Sequence, residues 1–352
     1  MNKKKWLLLA ILPSFFLTGC WDKKDPEDRA FIITLGADRT KDGFQFSFAP
    51  ANIETGEAAV YQAESRTLAG AVAQVDTHTS RKTDLGQLKT VILGQSVLED
   101  AKGLEGLLRE LERSQSVSEK VMLLGTEGTA AECVTAAMAE DSKTGLFLWD
   151  FYKNTAGEVA VTKGMDLDTF LTERQEQKGS GVLPRIRTEE GKLRLGGGMA
   201  VSSQGVLPMT DEEERGYLFL LGEAEGALLE EELHGETIPM EISKSKEKYA
   251  FLPQGETILC QIDLKLEGAL QGGGQTLSAH IPELEQIFEA KIEDEVLHTV
   301  GLQQEADYFG ILPRLERAEP QAAEGEEGAD ILKRLRYSVQ AELKIQDLGR
   351  KR

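Results

Sequence analysis

Cys20 is the residue of this chain whose type and surroundings best predict a defined chemistry. It follows three lysines at positions 3–5, an apolar run of 12 residues at positions 6–17, and the small residues Thr18 and Gly19. A cationic start, a short apolar segment and small residues at a cleavage point are typical of a secretory signal. A helix that spans a membrane needs about 20 apolar residues, so this run does not predict a permanent membrane helix.

The tetrapeptide that ends at Cys20 indicates which reaction its thiol undergoes. Leu17-Thr18-Gly19-Cys20 resembles the bacterial lipobox, in which a diacylglycerol is attached to the thiol and the signal is removed just before the cysteine. Stable anchoring takes two acyl chains, which a diacylglycerol supplies with or without a further N-acyl chain. We expect residues 1–19 to be a lipoprotein signal peptide and Cys20 to be lipidated. The alternative is an ordinary signal peptide with a chance cysteine.

No other sequence pattern indicates catalysis, a cofactor or a metal. The four histidines are dispersed, and none pairs with another at a spacing of three or four: His78, His234, His280 and His298. Nucleophile elbows, zinc-protease motifs and Walker loops are missing from the sequence. Gly196-Gly197-Gly198 has no Lys-Ser/Thr after it, so it indicates a glycine-rich strand that another backbone approaches closely. We therefore expect a protein that is not an enzyme.

Two further cysteines leave a disulfide open. Cys133 and Cys260 are 127 residues apart, and each lies in an apolar context. Export from the cytoplasm permits a disulfide. Their separation and surroundings favour two buried free thiols.

The charge of the chain excludes some classes of partner. The signal carries three lysines and no acid, so the chain from Cys20 onward has 37 Lys and Arg against 60 Asp and Glu, a net charge of −23. Nucleic acids favour clustered cations, and an anionic membrane surface repels an acidic protein. A covalent lipid tether agrees with this charge.

The order of predicted elements indicates an α+β fold with mixed sheets, packed helices and several domains. The 333 residues from Cys20 onward predict two or three domains. We expect an N-terminal α+β domain at 20–190 and a C-terminal α+β region at 191–352 that forms one or two subdomains. In the first part the sequence predicts strands at 31–38, 44–49, 88–93 and 120–124, and helices at 68–75, 97–111 and 129–138. The turn residues at 40–43 predict that the first two strands form a hairpin, and Thr129 is the expected N-cap of the last helix.

The second part has clearer signals at its helices. Thr210 and Glu213 form a capping box for a helix that stops at Gly222. Strands are predicted at 193–202, from residue 206 onward, and over 237–267. The last of these regions includes an exposed charged turn at 244–248. The longest helix follows Pro282, and a final strand alternates over 336–345. Residues 318–328 are acidic and predict an exposed, mobile loop.

Several of these segments together resemble one family. Gly19-Cys20-Trp21-Asp22, followed by the apolar strand at 32–38, resembles the start of the Ger(x)C spore-germination lipoproteins, the C subunits of nutrient germinant receptors. Further segments resemble the family's strand before its first long helix, its hairpin-and-helix element and its Gln-x-x-x-Asp-x-Phe-Gly stretch: residues 90–94, 198–207, 220–222 and 303–310. Members often carry tryptophans before the last strand, whereas residues 318–335 have none.

The resemblance implies a lipoprotein on the outer face of the spore inner membrane, beside two membrane-embedded partners. One is an A-type subunit, and the other is a B-type subunit similar to amino-acid transporters. Two alternatives are a solute-binding lipoprotein that delivers a nutrient to a membrane transporter and a surface hydrolase that acts on the cell wall. As a docking surface we single out the aromatic residues Trp149, Phe151 and Tyr152, which could instead belong to the core.

Overall fold

The computed structural model describes residues 28–51, 60–140, 146–154, 163–271, 279–303 and 306–346. Within these ranges the chain forms 13 strands and 11 helices. The strands are β1 (Arg29–Arg39), β2 (Phe44–Pro50), β3 (Tyr61–Ser65), β4 (Lys82–Asp84), β5 (Thr90–Leu93), β6 (Met122–Gly125), β7 (Gly181–Glu189), β8 (Lys192–Ser202), β9 (Gly205–Pro208), β10 (Leu228–Leu233), β11 (Glu236–Gln254), β12 (Thr257–Leu270) and β13 (Leu335–Gln346). The helices are α1 (Leu68–Asp76), α2 (Gln95–Leu98), α3 (Ala101–Arg113), α4 (Ala130–Glu140), α5 (Phe147–Asn154), α6 (Leu167–Glu176), α7 (Asp211–Leu221), α8 (Ile281–Gly301), α9 (Ile311–Ala318), α10 (Pro320–Ala323) and α11 (Gly328–Arg334).

The α+β class is confirmed, because the strands form two mixed sheets with helices packed on them. The first sheet has nine strands in the order β3-β2-β1-β5-β6-β7-β8-β9, with β4 beside β1. The predicted hairpin β1–β2 is antiparallel, whereas β1, β5 and β6 are parallel neighbours. The second sheet has the order β10-β11-β12-β13, and its last pair is parallel.

Strand β5 lies at the centre of the first sheet, and both of its faces are covered. Val91 and Leu93 point into a core shared with α1, α3 and α6. Ile92 points into a second core shared with α4 and α5. Parallel strands buried on both faces have continuous apolar sequences, which explains why this segment does not alternate.

The single helix predicted over 97–111 is wrong, because the structure has two helices there. Helix α2 ends at Leu98, and Asp100 then begins α3 by accepting a hydrogen bond from the Gly103 N–H at 3.0 Å. An aspartate N-cap of this kind fixes a new helix start. The leucines at helical spacing are fully buried, as expected: Leu104, Leu107, Leu108 and Leu111.

The charged turn predicted at 244–248 is also wrong. These residues lie inside the 19-residue strand β11, where Ser245 is buried and the lysines beside it are exposed. Lys244 forms an ion pair with Glu267 of β12 at 2.8 Å. The exposed face of an antiparallel sheet carries polar residues, so this charge-rich segment is a strand. The β11–β12 turn lies at 254–257, with Gly255 at φ +64°.

The loop predicted over 318–328 needs correction as well. Helix α9 ends at Ala318, α10 occupies Pro320–Ala323, and α11 starts at Gly328. Proline is favoured in the first turn of a helix, and Ala322 and Ala323 pack against the core of the second sheet. The predicted exposure of the acidic residues is correct, but part of the segment is helical.

Helix α8 and the last strand agree with their predicted periods. The buried stripe of α8 is Leu284, Phe288, Ile292 and Val296, each 0% exposed. In β13 the alternate residues Ala341, Leu343 and Ile345 are buried. Among the described residues, no helix combines the length and apolarity needed to cross a bilayer.

Candidate functional site

The predicted lipidation site and signal peptide, residues 1–20, lie outside the described residues. Within the described ranges, no three His, Cys, Asp or Glu side chains converge as metal ligands would.

Cys133 and Cys260 are buried free thiols in different cores. Cys133 lies beneath α4 in the first sheet's second core, and Cys260 lies in the core of the second sheet. Burial raises the pKa of both thiols, that of Cys260 to about 12. Thiolates are the reactive form of cysteine, so neither residue is set up as a nucleophile.

Two of the four histidines that are dispersed in the sequence lie close together in the structure. The rings of His234 and His280 lie 5.1 Å apart, almost perpendicular to each other. His234 sits in the β10–β11 turn at φ +53°, and His280 precedes α8 with Nδ1 3.3 Å from the Glu283 carboxylate. The two residues are 46 positions apart in sequence, so no local spacing could have revealed the contact.

The glycine run is a strand under close backbone contact, as predicted. It lies within β8, and Gly197 has φ +73°. A Cβ on Gly197 would lie 2.4 Å from the Met209 carbonyl oxygen and 2.5 Å from the Arg185 guanidinium. Arg185 donates to the Gly196 carbonyl at 3.1 Å and to Glu127 at 2.7 Å, so its charge is balanced by groups of this protein.

The segment at 36–38 holds the start of helix α4. Gly36 has no room for a side chain, because a Cβ would lie 2.8 Å from Val134. The Asp38 carboxylate accepts N–H bonds from Ala130 at 2.8 Å and Ala131 at 3.1 Å. Burial raises the pKa of Asp38, and these two amide bonds act against that rise. Thr129, the predicted N-cap, also accepts from Glu132 at 3.3 Å.

The Gln-x-x-x-Asp-x-Phe-Gly stretch has the same kind of role between α8 and α9. Gln303 donates to the Tyr337 hydroxyl of β13 at 2.8 Å. Asp307, 4% exposed, accepts from the N–H groups of Ile311 at 2.9 Å and Leu312 at 2.8 Å. Phe309 packs on Tyr217 with ring centroids 5.3 Å apart. Gln303 and Asp307 form hydrogen bonds that hold neighbouring elements together, and Phe309 packs in the core. The stretch therefore has a structural role.

Helix α7 begins and ends where the sequence predicts. Thr210 and Glu213 make both bonds of the capping box, and Gly222 ends the helix at φ +69°. Arg215 joins α7 to α8 through two bonds to Glu295, at 2.9 and 2.5 Å. Burial alone lowers the pKa of Arg215, but the bonds to Glu295 raise it overall.

The aromatic residues singled out for docking lie on helix α5, and their environments differ. Tyr152 is buried in the core, and its ring meets Phe151 edge-on at 5.2 Å. Trp149 and Phe151 are half-buried. The Lys89 ammonium lies 5.6 Å from the centre of the Trp149 ring, within the range of a cation–π contact. Tyr152 therefore belongs to the core, and Trp149 and Phe151 keep accessible surface.

A cavity of about 1190 Å³ lies among β1, β4, α1 and α3. We call it the cationic cavity, because its charged lining is mainly positive. The cations are Arg29 and Arg39 from β1, Arg66 before α1 and Lys82 from β4, with Lys102, Arg109 and Arg113 from α3. Sequence reasoning missed this site, because its residues come from segments that no local pattern connects.

Comparison with known proteins agrees with the resemblance of the motifs. The family model "Spore germination protein N-terminal domain" matches residues 22–188, and "Spore germination B3/GerAC like, C-terminal" matches residues 198–349. Spore germination protein GerQC of Bacillus cereus is 23% identical over 371 aligned residues, which cover 98% of this chain and 99% of that protein. Spore germination protein B3 of Bacillus subtilis (strain 168) is 22% identical, with 80% of this chain and 79% of that protein covered.

A solved structure shares the fold. The crystal structure of the GerBC protein superposes with a TM-score of 0.59 at 16% sequence identity, and the match covers 88% of this chain and 96% of that one. Because the two family models together match nearly all of residues 22–349, the chain belongs to the Ger(x)C family of spore germination proteins.

Proposed function

We propose that this protein is a non-enzymatic lipoprotein subunit of a spore germinant receptor, required for nutrient-triggered germination through contacts with membrane-embedded receptor subunits. The observation that carries the proposal is the similarity to spore germination proteins over almost the full length of both chains. A whole-length match includes both sheets and the motifs that hold them together, so the relationship is not confined to one shared domain.

The lipobox supports a position on the outer face of the spore inner membrane. Residues 1–19 export the chain, and the lipid on Cys20 holds it at the membrane that also contains the A-type and B-type subunits. A tether raises the effective concentration of one partner near another without any new contact. Modest protein interfaces are then sufficient for assembly, and a strongly acidic chain stays at an anionic surface that would otherwise repel it.

The motif contacts support a binding role over catalysis. Asp38, which is half-buried, and Asp307, which is buried, both accept backbone N–H bonds at helix starts. Such bonds leave neither carboxylate positioned to act on a substrate. Helix α5, with Trp149 and Phe151 partly accessible, is our choice for the contact surface with the membrane-embedded subunits.

The competing interpretation is a solute-binding lipoprotein that delivers a nutrient to a transporter. Proteins of that kind usually have two α/β lobes with repeated crossovers and a ligand cleft between them. The second sheet here has three antiparallel strands in sequence order and one parallel strand after α8, which favours the receptor-subunit interpretation.

A pull-down from sporulating cells tests the proposal. A tagged copy of the protein is solubilised from membranes in mild detergent, and co-purifying proteins are identified by mass spectrometry. We expect two polytopic membrane proteins, with much lower recovery for Cys20→Ala. Cys260→Ala, which removes a buried thiol from the core of the second sheet, is the matched control and should retain both partners. Recovery of an ABC-type permease, or binding of a small nutrient without membrane partners, would support the solute-binding interpretation instead.

A further inference from the structure

The cationic cavity has the opposite charge to the rest of the protein. The whole chain has a formal charge of −20. The cavity is lined by seven Lys and Arg side chains against three acids, Asp42, Asp84 and Glu110, which leaves +4. A concentration of like charge inside a concave surface raises the local concentration of counter-ions. Cations gathered in one cavity of an acidic chain therefore indicate an anionic ligand.

Part of this charge is not balanced by the protein itself. Arg29 pairs with Asp84, and Arg39 pairs with Asp100 at 2.7 Å. In contrast, Arg66, Lys102 and Arg113 have no carboxylate within 4.0 Å among the described residues. These three side chains are exposed at the cavity, on the segment before α1 and at the two ends of α3. Within the described part of the chain, all three are available to bind an external anion.

The uncharged groups of the cavity also suit an anion. Thr83 is 6% exposed and lines the cavity, and its hydroxyl has no hydrogen-bond partner in the described structure. The first turn of α1 borders the cavity, where the Ala69 N–H donates to the Glu110 carboxylate at 3.2 Å. Helix N-termini favour negative charge, and here one carboxylate of the protein already occupies that position.

We propose that the cationic cavity binds a phosphate-bearing anion. Arginine guanidinium groups match the geometry of phosphate oxygens and can form paired hydrogen bonds with them. Arg39 and Arg109 are paired with Asp100 and Glu105, which lie outside the lining, so the charge left for a ligand comes mainly from Arg66, Lys102 and Arg113. Three cations favour an anion with several negative charges over a single carboxylate. The cavity volume of about 1190 Å³ is slightly above the usual range for small-ligand sites, so a diphosphate with an attached organic group fits inside.

Two sources supply this chemistry, a soluble phosphate compound and the headgroup of an anionic phospholipid. The lipid source is within reach if Cys20 carries its lipid, because Arg29 is nine positions after Cys20 in the sequence. Nine extended residues span at most about 32 Å. Binding of phosphate by the cavity itself does not depend on the proposed receptor role, so the two proposals succeed or fail separately.

Titration of the full-length protein with inorganic pyrophosphate tests the site. The protein is kept in non-ionic detergent at low ionic strength, and binding is followed by calorimetry. We expect saturable binding with one site per chain, weakened by added salt because exposed charges are screened. Arg66→Gln and Arg113→Gln should each weaken binding by about tenfold, the effect of one charge-assisted hydrogen bond. Lys265→Gln is the control, since this side chain is 76% exposed on the second sheet and away from the cavity lining.

Filling the cavity provides a second test that leaves the cations in place. Gly106 lines the cavity in the middle of α3, and a Cβ there would meet nothing within 4 Å. We expect Gly106→Trp to abolish pyrophosphate binding and Gly106→Ala to retain it. The thermal unfolding of both variants establishes that they are folded. Absence of saturable binding by the unaltered protein, or equal weakening by Lys265→Gln and Arg66→Gln, would overturn the proposal.

Reconstitution into nanodiscs distinguishes the two sources. Pyrophosphate affinity is compared in discs of phosphatidylcholine alone and in discs with one third phosphatidylglycerol. A several-fold weaker apparent affinity in the anionic discs, absent in the Gly106→Trp background, identifies the lipid headgroup as a competitor for the cavity. Equal affinity in both discs assigns the site to a soluble phosphate compound. In either case pyrophosphate must bind in the neutral discs, and failure to do so contradicts a phosphate site.

Discussion

The Leu343 N–H of the last strand donates a hydrogen bond to the Glu289 carboxylate of helix α8, at 2.8 Å. Bonds of the same kind are made by the glutamates four residues before and four residues after Glu289. The Ile345 N–H donates to Glu285 at 2.9 Å, and the Ala341 N–H donates to Glu293 at 2.8 Å. Three glutamates spaced by four residues thus serve three alternate residues of β13.

The repeat works because two structural periods almost coincide. Four residues of α-helix rise by about 6.0 Å, and two residues of strand by about 6.6 Å. Strand β13 is the last strand of its sheet, so alternate N–H groups have no strand to pair with. Exposed edges of this kind promote aggregation unless they are covered. The carboxylates of α8 cover this one.

Loss of one of these carboxylates should destabilise the second sheet. We expect Glu289→Ala to lower the free energy of unfolding by about 1–3 kcal/mol, because the Leu343 N–H loses its partner. Glu289→Gln keeps an acceptor oxygen and should cost less. Urea denaturation measures both. Asp294→Ala, an exposed acid on the same helix, is the control, and an equal loss there would contradict the role assigned to Glu289.

Two glycines should respond in opposite ways to alanine. A Cβ on Gly94 would lie 1.9 Å from the Asp38 carboxylate and 3.2 Å from the Ala130 nitrogen. Gly94→Ala must therefore displace the cap of α4, and we expect a loss of at least about 1 kcal/mol, in the range of a broken helix cap. The Cβ added by Gly106→Ala has no atom within 4 Å, so this substitution should stabilise α3 by about 0.5–1 kcal/mol. Chemical denaturation measures the free energy of unfolding of both variants. An unchanged stability of Gly94→Ala would exclude the close contact.

Asp307 should introduce a pH dependence of stability. Burial raises its pKa in the folded protein above its ordinary value, so the ionised form is disfavoured by folding. Its contribution to stability is greatest below the unfolded pKa of about 3.9 and falls as the pH rises through the folded pKa. The stability deficit of Asp307→Asn relative to the unaltered protein should then shrink between pH 4 and pH 7. Urea titrations at several pH values measure it, and a deficit that grows with pH would reverse the assigned direction.

The two internal thiols should be unreactive in the folded protein. With a pKa of about 12, the Cys260 thiol is ionised in about one molecule in ten thousand at pH 8. Burial blocks access to Cys133 as well. Alkylation at pH 8 followed by mass spectrometry should modify neither residue before urea is added and both residues afterwards. A disulfide-linked peptide that contains both cysteines would contradict the free-thiol assignment.

Helix α5 should contribute to partner binding through its accessible aromatic residues. We expect Trp149→Ala to reduce co-purification of the membrane-embedded partners several-fold while the protein remains folded, since Trp149 is half-buried and Tyr152 maintains the core contact. Quantitative mass spectrometry of the pull-down measures the change. Leu252→Ala, at a residue 46% exposed in β11, is the control for loss of an accessible apolar side chain. If Trp149→Ala and the unaltered protein recover equal amounts of the partners, α5 is not part of the interface.

Local patterns in the sequence were sufficient to predict most helices and strands. The hairpin β1–β2, the capping box of α7 and the buried stripe of α8 follow from turn residues, cap spacing and apolar period, which act over a few neighbouring residues. The same reasoning failed at 244–248, because an exposed strand face and a charged turn have similar compositions. It failed at Asp100 because one cap residue divides an otherwise continuous apolar pattern.

The amino-acid sequence by itself determined the α+β class and the family resemblance, and it predicts an export signal and a lipid site at Cys20. The tertiary structure decided which distant residues meet: Asp38 with the start of α4, His234 with His280, the glutamates of α8 with the edge of β13, and the cations of the cavity. The physical reason is that each of these contacts joins separate elements. A side chain's partner across a sheet or beneath a helix depends on how the layers pack, and local spacing carries no record of that packing.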